Sequence, residues 1–321
     1  MAAVPEFPDS AEPPQLGPPG AGPAVRVRGL RMAYGTHEVL SGVDFDVRQG
    51  EVVCLLGPNG AGKTTTIEVL EGFRLPSAGS VEVLGVDPAR GDDAWRARIG
   101  VVLQSWRDHP RWTPRRLLGY LGGYYEPYST PERTHPWEVE DLLSTVGLTE
   151  EADRKIATLS GGRRRRLDVA VGLIGRPELL FLDEPTAGFD PQARRDFHDL
   201  VHRLSDLEGT SILLTTHDLG EAERLADRIL ILTDGRIVAH GSAAALTRQV
   251  AGTSEVRWVR DGEQFVHATD EIVPFVRRLL EQHGDELTDL EVRRADLEDT
   301  YIAMVQRFES RPQRHLAEVA R

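Results

Sequence analysis

The stretch that most restricts the fold of this chain is GPNGAGKTT, residues 57–65, between the apolar segment EVVCLLG and the helical segment KTTTIEVLEGF. It fits the pattern G-x-x-x-x-G-K-[ST] in the strand–loop–helix context that the pattern requires. Glycines allow backbone amides to turn inward and cradle phosphate oxygens, and the helix N-terminus adds a favourable partial charge. We therefore predict a nucleotide-binding loop made of Gly57, Pro58, Asn59, Gly60, Ala61, Gly62, Lys63, Thr64 and Thr65.

Two side chains of this loop are expected to act on the phosphates. The Lys63 ammonium would neutralise the β- and γ-phosphates, and the Thr64 hydroxyl would be a ligand of Mg²⁺. Lys63 and Lys155 are the only lysines among the 38 basic residues. A glycine-rich turn that precedes a lysine by chance is therefore improbable.

The segment LLFLDEP, residues 179–185, places two acids at the end of an apolar strand. Asp183 would hold Mg²⁺ through water, and Glu184 would polarise an attacking water molecule. Taken alone the pattern is weak, because acids at a strand end can also cap the next helix. Together with the phosphate-binding loop it is strong, since parallel strands end at the same edge of a sheet, where ligands bind.

Apolar segments alternate with helical ones along much of the chain. The segments AVRVRGLRMAYG and LSGVDFDVRQG predict antiparallel strands, and EVVCLLG, IGVVLQ, LLFLDEP, SILLTTH and RILILTDG predict buried strands of a parallel sheet. The predicted fold class is α/β: a parallel-sheet core, an antiparallel β subdomain and a helical subdomain at about residues 105–165. Beyond residue 250, a hairpin in EVRWVRDGEQFVH, a helix, a short strand and a last helix predict a small C-terminal α+β extension over 250–321.

Composition narrows the classes of partner and compartment. With 51 Asp and Glu against 38 Lys and Arg, the net charge is −13, so no nucleic-acid partner is expected. The single cysteine, Cys54, favours a reducing compartment. No secretory signal is apparent and no apolar stretch reaches the roughly 18–20 residues of a membrane-spanning helix, so a membrane role would need a second chain. Residues 1–23 are proline-rich and are predicted to be a disordered tail.

Six segments follow one another in a fixed order: 57–65, Gln104 in VVLQ, LSGG at 159–162, LLFLDEP, AGFD ending at Asp190, and His217 in LLTTHD. In this order they resemble the motifs of the nucleotide-binding subunit of an ATP-binding cassette (ABC) transporter. Residues 57–65 match the Walker A loop, 159–162 the signature loop and 179–185 the Walker B strand. The resemblance implies a P-loop NTPase domain of the ABC type over 24–245, which binds ATP and Mg²⁺ and hydrolyses ATP.

The resemblance also implies roles around the nucleotide. Tyr34 matches the aromatic residue that stacks on adenine, although an ordinary strand-end tyrosine is the alternative. Gln104 resembles the glutamine that reaches Mg²⁺ and the attacking water, and His217 resembles the histidine that contacts the γ-phosphate. The implied catalytic set is Glu184, His217 and Gln104, and the implied metal set is Thr64, Gln104 and Asp183.

Subunits of this family pair head to tail, so the signature loop of one subunit serves the ATP of the other. Ser160, Gly161 and Gly162 would contact the partner's γ-phosphate, and Asp190 would communicate across the dimer. Arg163 stands where glutamine is usual, which leaves open a subunit that binds ATP without hydrolysing it. Of the four consecutive arginines, Arg163 is expected near the partner's nucleotide, and 164–166 are expected to pair with surface carboxylates or to face solvent.

The region between Gln104 and the signature loop is rich in aromatic residues: Trp106, Trp112, Tyr120, Tyr124, Tyr125, Tyr128 and Trp137. In ABC ATPases this helical subdomain receives the coupling helix of the membrane subunit. Two interpretations stay open. The rings form the subdomain's own core, or some of them line a docking groove, since interface cores favour Tyr and Trp.

The C-terminal ADLEDTYIAMVQ resembles the LEDxFL ending of exporter-type ATPases, such as those of daunorubicin-resistance-type systems. The resemblance thus implies an ATPase that drives a separate integral membrane permease, for export of a drug, lipid or other small molecule. It would act with a second ATPase subunit, in a homodimer or a related heterodimer, in the cytoplasm at the inner face of the cell membrane. The alternative is an ABC ATPase acting on ribosomes or nucleic acid, which a single uninterrupted cassette without heptads disfavours.

Overall fold

A computed structural model of the chain describes residues 22–102, 109–131, 133–186, 189, 191–250, 254–260, 263–269, 271–293, 298 and 301. Gln104 and Asp190 lie outside these ranges, as do nearly all of the proline-rich segment and most of the last predicted helix. Among the helices within these ranges, none combines the length and the apolar character needed to cross a membrane.

The strands are, in chain order, β1 (Val25–Tyr34), β2 (His37–Val47), β3 (Val52–Leu56), β4 (Ala78–Val83), β5 (Ile99–Val102), β6 (Leu179–Asp183), β7 (Ser211–Thr216), β8 (Arg228–Thr233), β9 (Arg236–Gly241), β10 (Ser254–Arg260), β11 (Glu263–Thr269) and β12 (Leu287–Arg293). The α-helices are α1 (Lys63–Leu70), α2 (Asp93–Arg96), α3 (Pro114–Gly122), α4 (Val139–Thr145), α5 (Gly161–Leu173), α6 (Pro191–Glu208), α7 (Leu219–Leu225), α8 (Ala243–Val250) and α9 (Ile272–His283).

The central sheet has the strand order β5-β6-β7-β3-β8-β9. Its first five strands are parallel, as the apolar segments predict, and β9 adds an antiparallel edge that the sequence analysis did not include. Strand β3 lies between β7 and β8, and every residue of β3, β6 and β7 is buried. The loops that follow β3, β6 and β7 therefore leave the same edge of the sheet, next to one another.

Hydrophobic cores cover both faces of this sheet because side chains alternate along each strand. On one face, Val53, Leu55 and Phe181 pack under the antiparallel sheet β2-β1-β4, which includes the predicted pair β1–β2 and the unpredicted strand β4. On the other face, Cys54 and Leu182 pack against helices that include α5 and α6. The thiol of Cys54 is fully buried within this core.

A helical layer follows the described part of β5 and packs on the second core through α3 and α4. Thr113 caps α3, because its hydroxyl accepts a hydrogen bond from the backbone N–H of Arg116 at 3.3 Å, and Pro114 occupies the first turn. Gly147, with φ of 69°, follows the end of α4. Thr113 and Gly147 therefore mark the start of α3 and the end of the α4 segment.

The C-terminal residues form a third sheet of order β11-β10-β12 with α9 against it. Strands β10 and β11 pair from Arg260 with Glu263 outward, which confirms the predicted hairpin. Trp258 stacks on Phe265 at a centroid distance of 5.6 Å and lies 5.8 Å from Phe275 of α9. These rings form the contact between the helix and the hairpin.

Candidate functional site

The phosphate-binding loop runs from the end of β3 to the first residue of α1. Gly60 and Gly62 have positive φ angles of 84° and 105°, which side chains with a Cβ rarely adopt. A Cβ on Gly57 would lie 2.3 Å from the carbonyl oxygen of Leu232, and one on Gly62 would lie 2.6 Å from Cδ2 of Leu40. Glycine is therefore required here by conformation and by space, and the loop forms the amide-lined cradle expected of a phosphate site.

Lys63 is folded back over this loop. Its ammonium donates hydrogen bonds to the carbonyl oxygens of Gly57 at 2.8 Å and Pro58 at 3.2 Å, and lies 3.4 Å from Oε1 of Glu184. Only 5% of the Lys63 side chain is exposed. A desolvated cation held inside a ring of backbone dipoles is well placed to bind an anion that enters the loop.

Asp183, the last residue of β6, lies beside Thr64 of α1. Its Oδ2 accepts a hydrogen bond from Thr64 Oγ1 at 3.1 Å, and its Oδ1 accepts one from the hydroxyl of Thr215 on β7. Hydroxyl and carboxylate oxygens are the ligands that Mg²⁺ prefers, and this ion commonly takes its other ligands from water and phosphates. The hydroxyl of Thr64 and the carboxylate of Asp183, side by side, therefore suit an ion that is shared with a nucleotide.

Glu184 occupies the bend between β6 and the next loop, with a φ of 44° in the left-handed region. Its backbone N–H donates to the hydroxyl of Thr215 at 3.0 Å. Its Oε1 lies between Lys63 Nζ at 3.4 Å and Nδ1 of His217, which follows β7, at 3.3 Å. The structure thus brings together five residues selected from the sequence: Lys63, Thr64, Asp183, Glu184 and His217.

The chain is similar in sequence to known proteins. A family profile described as ABC transporter matches residues 40–187. Nod factor export ATP-binding protein I of Ralstonia nicotianae is 41% identical over 245 residues, which are 74% of each chain. Daunorubicin resistance ATP-binding protein DrrA3 of Streptomyces coeruleorubidus is 35% identical over 303 residues, which are 87% of this chain and 95% of that protein.

The chain belongs to the ABC transporter family. A solved structure titled as the ATP-binding subunit of an ABC transporter superposes with a TM-score of 0.59 at 29% identity, over 70% of this chain and 92% of that one. The predicted P-loop fold of the ABC type is confirmed, and the protein is an ATP-binding ABC ATPase.

Behind the catalytic edge of this ABC ATPase lies a buried carboxylate that the sequence analysis missed. Glu221 of α7 accepts hydrogen bonds from the hydroxyls of Thr186, just after Walker B, and Thr216, just before His217. Burial raises the pKa of Glu221, although the two hydroxyls act in the opposite direction. The paired threonines in the otherwise aliphatic segment SILLTTH were the available signal. Glu221 ties the Walker B loop to the segment that carries His217.

The signature loop lies at the N-terminus of α5, where Ser160 and Gly161 are exposed. Ser160 caps the helix, since its hydroxyl accepts a hydrogen bond from the Arg163 N–H at 3.5 Å. Gly162 lies against α6 near Ala193. A cavity of about 530 Å³ opens here between the starts of the two helices. Among the described residues, this loop thus lies beside the start of α6.

Of the four consecutive arginines, Arg163, Arg164 and Arg166 pair with carboxylates, of Glu151 (3.0 Å), Asp168 (3.2 Å) and Asp196 respectively. The expectation for Arg165 was wrong. This side chain is buried, and it donates hydrogen bonds to the backbone carbonyls of Pro185 at 2.9 Å and Asp183 at 3.2 Å. The cause is the helical period, which turns Arg165 toward the sheet while its neighbours face outward.

Tyr34 lies at the end of β1, at the turn into β2, with 42% of its surface exposed. The same hairpin borders the Walker A loop, because a Cβ on Gly62 would also lie 3.2 Å from the carbonyl of Val39 on β2. The guanidinium of Arg74 lies over the tyrosine ring, 5.2 Å from its centroid. An exposed ring beside the phosphate cradle is compatible with the proposed stacking on adenine.

Proposed function

We propose that Glu184 is the general base for ATP hydrolysis in this chain, and that the energy drives a separate membrane permease for export. The observation that supports this most directly is the position of the Glu184 carboxylate, 3.4 Å from Lys63 and 3.3 Å from His217 at the mouth of the phosphate-binding loop. A base must lie within hydrogen-bond reach of the water it activates, and this edge is where the γ-phosphate of a cradled ATP would end.

In this proposal the loop amides and Lys63 bind the phosphates, while Tyr34 stacks on the adenine. The phosphates compete with Glu184 for the Lys63 ammonium and leave the carboxylate to orient the attacking water and accept its proton. Thr64 and Asp183 would hold Mg²⁺, with Gln104, and the ion would supply charge neutralisation at the β- and γ-phosphates. His217 would contact the γ-phosphate.

We further propose that two cassettes pair head to tail around two ATP molecules. Ser160 and Gly161, both exposed, and the partly buried Gly162 would offer amides and a hydroxyl at the N-terminus of α5 to the partner's γ-phosphate. Arg163 and Asp190 would lie at the same interface.

The names of the relatives support an exporter. The proteins of Ralstonia nicotianae and Streptomyces coeruleorubidus are named for export of Nod factor and for daunorubicin resistance. By analogy, the cargo would be a drug, lipid or other small molecule, and the chain would act at the inner face of the cell membrane through its permease. The alternative of a ribosome- or nucleic-acid-acting ATPase is not favoured. The three separate sheets support the proposed division into a cassette over 24–245 and an accessory unit from 250.

The permease would dock on an aromatic patch formed by His109, Trp112, Arg116, Tyr120 and Tyr124. Its rings are in successive contact, at centroid distances of 4.4, 5.3 and 5.6 Å, and Arg116 lies 4.6 Å from the Trp112 ring. Tyr120 and Tyr124 are 52% and 61% exposed. Exposed rings beside a cation have the composition of an interface centre.

The test of the general base is Glu184→Gln, with Glu178→Gln as the matched control at the opposite end of β6. ATP binding should persist in Glu184→Gln while turnover falls on the order of 100-fold or more, because the amide cannot accept the proton. ATP should also convert this variant from monomer to dimer in size-exclusion chromatography. Wild-type turnover in Glu184→Gln would refute the assignment, and a dimer indifferent to ATP would refute the head-to-tail pairing.

A further inference from the structure

Arg165 connects two functional segments of this ATPase that are far apart in sequence. It lies one turn into α5, the helix that begins at the signature loop, and its guanidinium reaches the end of the Walker B strand. Nη2 donates to the carbonyl of Asp183, and Nε donates to the carbonyl of Pro185. The residue between these two carbonyls is Glu184, so the planar guanidinium spans the backbone on both sides of it.

The backbone at Glu184 needs such support. Its φ of 44° lies in the left-handed region, which is unfavourable for a residue with a Cβ and persists only where the surroundings hold it. Thr215 holds the N–H of Glu184 from the β7 side. Arg165 holds the flanking carbonyls from the α5 side, so the bend is fixed from two elements at once.

The electrostatic surroundings keep this guanidinium in place. Only 7% of Arg165 is exposed, and the carboxylates of Asp168, Asp183 and Glu221 face it. Burial lowers the pKa of the Arg165 side chain and the three carboxylates act against that, but an arginine stays charged in any case. A largely buried cation with a fixed fork of donors is a rigid support, because moving it would leave its charge without partners.

We propose that Arg165 is a positioning residue for ATP hydrolysis: it fixes the backbone bend that presents the Glu184 carboxylate to the attacking water. This inference rests on the proposed role of Glu184 as the base. Arg165 itself touches backbone carbonyls of Walker B, and its contribution to the rate is made through Glu184.

A residue that only supports the fold would behave differently. Its loss would reduce the amount of folded protein, and would change the activity by the same factor whether or not Glu184 is present. A positioning residue acts on kcat and leaves the binding of ATP nearly unchanged, since the Walker A loop does not depend on it. Its effect should vanish once Glu184 has been replaced.

The experiment measures kcat, KM and single-turnover hydrolysis for the full-length chain carrying Arg165→Lys or Arg165→Gln, each alone and combined with Glu184→Gln. Lysine keeps the charge and can reach one carbonyl, whereas glutamine removes the charge and the fork. The matched control is Arg98→Gln. Arg98 holds the other end of β6 through two hydrogen bonds to Glu178, at 2.7 and 3.1 Å, and is remote from the bend. Thermal unfolding checks that each variant is folded, and every rate is divided by the fraction of protein that binds ATP.

We expect kcat to fall on the order of 100-fold in Arg165→Gln, the scale of an angstrom-sized displacement of a catalytic group, and less in Arg165→Lys. KM and the Kd for ATP should stay within about threefold of the wild type, because uniform binding is untouched. In the Glu184→Gln background neither change at Arg165 should slow hydrolysis further. Arg98→Gln should keep the wild-type kcat per folded molecule.

The outcomes separate this inference from the proposed function. Wild-type turnover in Glu184→Gln would refute the base itself. A slow Glu184→Gln with a wild-type kcat in both Arg165 variants would refute the positioning role alone. Equal further losses in the Glu184→Gln background would show that Arg165 does not act through Glu184. Failure of both Arg165 variants to fold would also overturn the inference, because the side chain would then support the whole fold and not one bend.

Discussion

Glu71 follows α1 and carries a carboxyl group whose pKa is strongly raised. Its side chain is buried, with 7% of the residue exposed. Burial raises its pKa to about 8, and the negative charges of Asp183 and Glu68 add to this. At neutral pH the folded protein therefore holds a proton on Glu71 that the unfolded chain releases.

The sign of the effect follows from this difference. The folded-state pKa lies above the unfolded value of 4.5, so the stabilising contribution is complete below pH 4.5 and is lost as the pH rises through 8. Proton linkage between these two values gives a loss of roughly 2 kcal/mol in the free energy of unfolding between pH 6 and pH 8. Glu71→Gln has nearly the same shape as the protonated acid and cannot ionise. It should match the wild type only below about pH 4.5, and its advantage in the free energy of unfolding should grow by roughly 2 kcal/mol between pH 6 and pH 8.

The assay is urea unfolding of the purified chain followed by tryptophan fluorescence, since Trp95 is buried in the core that includes α1. Free energies of unfolding at pH 6 and pH 8 are compared for the wild type, Glu71→Gln and the control Glu82→Gln. Glu82 lies on β4 with a half-exposed side chain paired to Arg26, so its replacement should leave the pH dependence as in the wild type. If the free energy of unfolding changed equally between pH 6 and pH 8 in the wild type and in Glu71→Gln, the reasoning would be refuted.

Three further predictions concern single side chains. Lys63→Ala should abolish binding of a fluorescent ATP analogue, whereas Lys155→Ala, at an exposed position, should bind it normally. If the Lys63→Ala variant bound the analogue, Lys63 would not be part of the binding site. Tyr124→Ala should stay folded and lose co-purification with the permease, while Tyr125→Ala should lose roughly 3 kcal/mol of stability in urea unfolding, because its ring packs against the core. Wild-type yield of the permease with a folded Tyr124→Ala would exclude the aromatic patch as the docking surface. Arg163→Gln should lower the midpoint of thermal unfolding, because it leaves the buried carboxylate of Glu151 without its cation; an unchanged midpoint would contradict this.

The sequence predicted those parts of the site that follow from local rules. The glycines of Walker A predict a phosphate-binding loop, because residues with a Cβ rarely adopt their backbone conformation. Asp183 and Glu184 are recognisable because they stand at the end of a run of buried residues. The edge strands β4 and β9 were harder to predict from the sequence. Strand β4 begins with three exposed residues and no residue of β9 is fully buried, so neither strand has a strongly apolar sequence. Pairing with a neighbouring strand, and not residue preference, creates them.

Arg165 could not be assigned from sequence for a different reason. Four identical residues in a row conceal the helical period, and an arginine is ordinarily placed on the surface. The partners of Arg165 are backbone carbonyls of a strand end, which carry no signature in the sequence. Its burial is set only when α5 packs beside β6.

The position of Arg165 bears on how two ATP sites could act together. In the proposed head-to-tail dimer, the start of α5 would contact the ATP held by the partner. One turn later, Arg165 of the same helix donates hydrogen bonds to the carbonyls of Asp183 and Pro185 in its own site. A shift of α5 when the partner's γ-phosphate arrives or leaves would be transmitted to the carbonyls on either side of Glu184. One helical turn is stiff and the Arg165 guanidinium is buried. The hydrogen bonds of Arg165 to the two carbonyls would therefore move with the helix. The proposed base of each site would thus be aligned only while the ATP of the other site holds the signature loop.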